Sequence, residues 1–130
     1  MERLCPQEVD LHTLSPLALA FVGDGVYSLM VRERLVCGTS APNGRLHEQS
    51  VELVRAEAQA AAMKRLLPRL TPDEERIYRR GRNAHTSRSG QAYHCATGLE
   101  ALFGFLYLAG DLDRVRELFA AAFEEEPATV

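Results

Sequence analysis

Two carboxylates stand out by what surrounds them. Asp24 lies between Gly23 and Gly25 in the middle of the apolar stretch SPLALAFVGDGVYSLMVRERL, Ser15 to Leu35. Glu100 is the one acid in ATGLEALFGFLYL, Ala96 to Leu108, with Gly104 four residues on. A glycine inside a helix costs roughly 1 kcal/mol relative to alanine. A charge on an apolar helix costs more unless it has a partner. Residues four apart share a helix face, so Gly104 leaves room beside Glu100 for another backbone. A crossing at Gly23 and Gly104 would bring Asp24 and Glu100 together. Two carboxylates held out of water repel unless a proton or a cation lies between them. Oxygen ligands of this kind suit Mg2+ or Mn2+. Two other readings compete. Gly23-Asp24-Gly25 could end one helix and begin another, with Asp24 exposed at the break. A lone acid on an apolar helix is also about as often half of a buried ion pair, although Arg32 and Arg34 lie too far along to share a close face with Asp24.

The elements that must carry these acids are all helical. Ser15 suits a cap and Pro16 the first helical position, so a first helix is expected over Pro16 to Leu35. Val36 to Gly44 is rich in turn residues and reads as a loop. Leu46, Val51, Val54, Ala58, Ala61, Ala62 and Leu66 repeat at helical spacing. They predict one second helix from Gly44 or Arg45 to the stop at Pro68. Thr71-Pro72-Asp73-Glu74 is a helix start with a capping box, and that short helix runs to about Arg80. Gly81 to Tyr93 reads as a polar, cationic loop leading into the Glu100 helix. Gly110-Asp111 forms a turn with Asp111 as cap, followed by an amphipathic helix over Leu112 to Phe123. No strand-like alternation and no internal repeat occur. The expectation is one all-α domain over residues 1–130, with residues 1–13 a lead-in and 124–130 a frayed tail.

Composition bounds the function. With 46% hydrophobic and 25% charged residues in 130, the chain has the balance of an ordinary globular domain. No apolar run is long enough to span a bilayer, and MERLCPQEVD has no targeting character; a cytoplasmic protein is expected. Cys5, Cys37 and Cys95 are widely spaced and suggest neither zinc nor a disulfide framework. The net charge of −3 argues against a generic nucleic-acid binder. Its distribution argues the other way. Arg76 to Leu99 carries five arginines and no acid, so the remainder of the chain carries −8. A local basic strip on an acidic protein still attracts phosphates.

The two acidic helices, LALAFVGDGVY and TGLEALFGFLYL, resemble those of ribonuclease III catalytic domains. RRGRNAH between them resembles the Mini-ribonuclease III subfamily, which implies a catalytic domain with no double-stranded-RNA-binding module after it. The likeness covers roughly Leu14 to Phe123. It implies the ribonuclease III endonuclease-domain helical bundle, with Asp24 and Glu100 as catalytic residues that hold Mg2+, for which Mn2+ substitutes. It implies a homodimer that hydrolyses double-stranded RNA to 5′-phosphate and 3′-hydroxyl ends, with precursor large-subunit (23S) ribosomal RNA as substrate. The full-length ribonuclease III pattern has two more acids, one turn before the Asp and one turn before the Glu. Here those positions are Ala20 and Thr97, which leaves two carboxylates per subunit.

Arg79, Arg80, Arg82, Asn83 and Arg88 are the expected RNA contacts, since guanidinium forks match phosphate oxygens; helix capping and solvation compete. No aromatics interleave with the arginines, so duplex rather than single-strand binding is favoured. His85 and His94 could assist these contacts, but solvated surface histidines are the favoured reading for each. Tyr27 and Ser28, one turn beyond Asp24, and Thr97, one turn before Glu100, are expected to support the carboxylates; Tyr27 is as readily explained by packing. Two rivals stay open: a non-catalytic RNA-binding or ribosome-associated module on the same fold, and a Mg2+-dependent nucleotide pyrophosphohydrolase. The first needs neither acid. The second needs more facing acids than Glu74-Glu75 and the Glu124 run supply.

Overall fold

A computed structural model describes residues 3–38, 42–84 and 90–124. The expected tail beyond Glu124, part of the loop after the first helix, and Arg88 and His85 lie outside the described residues. Helix α1, Pro16–Gly38, opens as its sequence requires: the Ala18 amide donates to the Ser15 hydroxyl at 3.1 Å. The helix is continuous through Gly23 and Gly25, so there is no break at Asp24. The reason lies in what Gly23 meets. A Cβ built there would stand 1.6 Å from the Glu100 carbonyl oxygen and 2.8 Å from the Gly104 amide. One built on Gly104 would stand 1.9 Å from the Leu19 carbonyl oxygen. The two backbones touch, and the helix carrying Glu100 is the central partner of α1. Gly25 has open space around it.

The predicted second helix is two. Helix α2, Asn43–Val54, and α3, Ala56–Leu66, are separated by Arg55 in an extended conformation, φ −66° and ψ 157°. The halves bury different faces: α2 packs on α1, α3 on the Glu100 helix and the last helix. The break also shifts the register. The inner stripe of α3 is Gln59, Ala62, Met63 and Leu66, with Ala61 exposed, and Val51 of α2 is half exposed rather than inward.

Helix α4, Pro72–Arg82, has the expected capping box, with Thr71 and Glu74 exchanging backbone-to-side-chain hydrogen bonds of 2.9 and 3.2 Å. Helix α5, Gln91–Leu108, begins five residues before the apolar segment, because the Tyr93 and His94 amides already donate to the Gly90 carbonyl. Gly81 and Gly98 let α4 lie on α5. A Cβ at Gly81 would come 3.0 Å from Gly98 Cα, and one at Gly98 would meet Tyr78. Gly110, at φ +80°, makes the turn into α6, Leu112–Ala122, which Asp111 caps. Arg114 of α6 reaches back to the buried Glu74 through two 2.8 Å hydrogen bonds. The core closes around Tyr27, whose ring meets Phe103 and Phe119 edge-on. Among the described residues there is no strand, and no helix is long and apolar enough to cross a membrane.

Candidate active site

The crossing of α1 and α5 sets the site. Gly23 and Gly104 hold the backbones in contact, and the next residue on α1 and the preceding turn on α5 present Asp24 and Glu100 side by side, within hydrogen-bonding reach. Asp24 is exposed and Glu100 half-buried, so the pair sits on the rim of the crossing rather than inside it. Burial, then the hydrogen bond and the charge of Asp24, push the Glu100 carboxyl up to about 8. Glu100 thus keeps its proton at neutral pH when nothing else relieves the contact.

The neighbouring Gln59 amide opposes that shift. Sequence spacing alone does not single out Gln59. The signal for it was an amide at helical spacing from Ala62, Met63 and Leu66, on a face that is otherwise apolar.

The other candidates divide. Thr97 is buried and donates to the Tyr93 carbonyl at 3.0 Å, within its own helix. Tyr27 is 1% exposed and belongs to the core rather than to the support of Asp24; burial holds its hydroxyl up at about 12. Ser28 is half-buried and makes no hydrogen bond to Asp24. His94 is half-buried too. Arg79, Arg80 and Asn83 share a groove of about 560 Å3 with Arg76, Glu75, Pro16 and Pro72. Arg79 is tied there to Glu75 at 2.6 Å. Arg82 lies outside this groove, its guanidinium 5.7 Å from the Tyr78 ring centre.

Asp24 and Glu100 fit a hard divalent cation. They are oxygen donors that repel once Glu100 gives up its proton, a repulsion such an ion relieves, and the exposed side leaves room for water. Mg2+ commonly takes one or two carboxylates and keeps several waters. Among the described residues no group of three or more His, Cys, Asp or Glu converges on a metal position. Ala20, where the longer ribonuclease III pattern has an acid, is buried beside Ala101.

The ribonuclease III domain family model matches residues 17–111. A Mini-ribonuclease 3 of Thermoanaerobacter sp. (strain X514) is 47% identical over 111 residues, covering 82% of this chain and 78% of its own. The chain belongs to the Mini-ribonuclease III branch of the ribonuclease III family. A second member, the Mini-ribonuclease 3 of Symbiobacterium thermophilum, is 44% identical, covering 85% of this chain and 88% of its own. The fold also matches the crystal structure of a Fusobacterium nucleatum protein, with a TM-score of 0.76 and 26% identity over 88% of this chain and 94% of that one. Like other Mini-ribonucleases III, the protein is an endoribonuclease with an all-α catalytic fold.

Proposed function

We propose that this Mini-ribonuclease III is a Mg2+-dependent homodimer that cuts double-stranded RNA in the cytoplasm, maturing precursor 23S ribosomal RNA. The observation that carries the reading is the apposition of Asp24 and Glu100, beside a helix that ends in arginines. Asp24 and Glu100 hold the cation, with Mn2+ as a substitute. When bound, it lowers the pKa of water and stabilises charge on the phosphoryl oxygens. Glu100 must give up the proton it holds below about 8 to take part. Arg80 and Asn83, with Arg79 once it leaves Glu75, hold phosphates of the duplex in their groove. The products carry a 5′-phosphate and a 3′-hydroxyl.

A subunit with one such site cuts one strand, so duplex cleavage calls for a two-fold pair. The exposed Phe21 (84%), Leu17 (44%) and Leu29 (56%) of α1 support such a pairing. So does an apolar cavity of about 440 Å3 bounded by Leu4, Val26, Leu29, Met30 and Tyr107. The test is cleavage of a labelled RNA duplex by wild type and Asp24→Asn, with Mg2+ and with chelator. Cutting that needs both Mg2+ and Asp24 is expected. Binding without cutting in wild type would instead make the protein an RNA-binding module.

A further inference from the structure

Gln59 is the polar member of the inner face of α3, and 2% of it is exposed. A buried amide has two N–H donors and one acceptor to satisfy. Nε2 donates to the Val54 carbonyl at 2.8 Å, across the break at Arg55. The same side chain lies beside the Glu100 carboxyl and favours its charged form. Oε1 is buried with no hydrogen-bond partner among the described residues. Leaving an acceptor so placed costs about 1–3 kcal/mol, and Leu or Met would fill the volume without that cost. The amide is therefore not there for packing.

A cationic side chain in this place would pair with Glu100 and compete with a metal ion. An amide N–H orients the carboxylate without bringing a countercharge. Outer partners of this kind fix the direction of a ligating group. We propose that Gln59 is a positioning residue of the acidic pair: its amide ties the Glu100 carboxylate to the α2–α3 break and sets it toward Asp24, so that the pair is arranged for a divalent cation before one arrives. This rests on the reading of Asp24 and Glu100 as the cation-holding pair.

The experiment compares wild type with Gln59→Met and Gln59→Leu, each as the whole protein. Mn2+ binding is read from the free-ion electron spin resonance signal, folding from circular dichroism and metal-free thermal unfolding, and turnover as kcat and KM on an RNA duplex. Mn2+ affinity and kcat are expected to fall about 10- to 100-fold. KM and the circular dichroism spectrum should stay as in wild type, because Gln59 is too deep to touch RNA. Folded variants with wild-type Mn2+ affinity and kcat would overturn the inference and leave Gln59 a helix-break residue only. Should neither variant fold, the wild-type Gln59 side-chain amide resonance decides. It is expected to move as Mg2+ saturates the protein, and a resonance that stays put overturns the proposal. Wild type that neither binds Mn2+ nor cuts would sink the reading of the acidic pair, and this inference with it.

Discussion

Gly23 and Gly104 are in backbone contact. A Cβ on Gly23 would stand 2.8 Å from the Gly104 amide nitrogen, and one on Gly104 would stand 3.0 Å from that of Gly23. Neither neighbour is a side chain that could turn aside. Gly104→Ala is therefore expected to cost about 3 kcal/mol or more, measured by urea unfolding, and to lower Mn2+ affinity by parting the helices. Gly25→Ala is the control. Its Cβ would meet nothing within 4 Å, so helix propensity alone predicts a gain of about 0.5–1 kcal/mol. A small effect at Gly104 would mean the crossing yields more readily than backbone contact allows.

Asp24→Asn should leave the metal-free protein about as stable as wild type at neutral pH, where Glu100 holds its proton, and more stable than wild type above about pH 8, where the substitution removes a like-charge contact. Thermal unfolding in chelator checks this. Marked destabilisation would assign Asp24 a structural role.

The pH dependence of stability follows from Glu100. Its carboxyl moves from 4.5 in the unfolded chain to about 8 in the fold. Below pH 4.5 both states hold the proton; between 4.5 and about 8 the unfolded chain releases it and the fold keeps it, so stability falls as pH rises. Glu74 acts oppositely. Its hydrogen bonds from Arg114 lower its carboxyl, so its contribution is present above pH 4.5 and is lost only as pH falls through the lowered value. Between 4.5 and about 8 the metal-free melting temperature of wild type is expected to decline, and that of Glu100→Gln to decline less. Parallel curves would show that Glu100 does not carry the slope.

Arg80→Ala is the cleanest probe of the basic groove. Arg80 is exposed on α4, whereas Arg79 is held by Glu75 and Arg82 lies over Tyr78, so loss of either would mix binding with packing. Duplex affinity should weaken, and the slope of log K against log salt should shrink by about 1. An unchanged slope would remove Arg80 from the interface.

The crossing was legible in the sequence because its signal is local: two glycines and two acids at helical spacing, each unfavourable alone and sensible together. The caps at Ser15, Thr71 and Asp111 were legible for the same reason. The break at Arg55 was not. No Gly or Pro marks it, and the extended backbone there is offset by the hydrogen bond from the Gln59 amide to the Val54 carbonyl and by two packing partners that demand different faces. With nothing to mark the break, the apolar spacing points one position off in α3, toward Ala58 and Ala61, and does not single out Gln59. The start of α5 is hidden because Gln91 to Tyr93 is polar enough to pass for loop. That Asp24 is exposed rather than buried was equally hidden, since periodicity gives a face and not a depth.

The break has one more consequence. Helix α2 holds no fully buried apolar side chain, while α1, α3, α5 and α6 share the core. The chain between Pro42 and Arg55 should thus open as its own cooperative unit, at a free energy below that of global unfolding. Its amides would exchange with solvent while the Asp24–Glu100 crossing stays closed. Trypsin at low dose would then find Arg55, which is more than half exposed, as an early cut. The nicked protein would keep the acidic pair on an intact pair of helices.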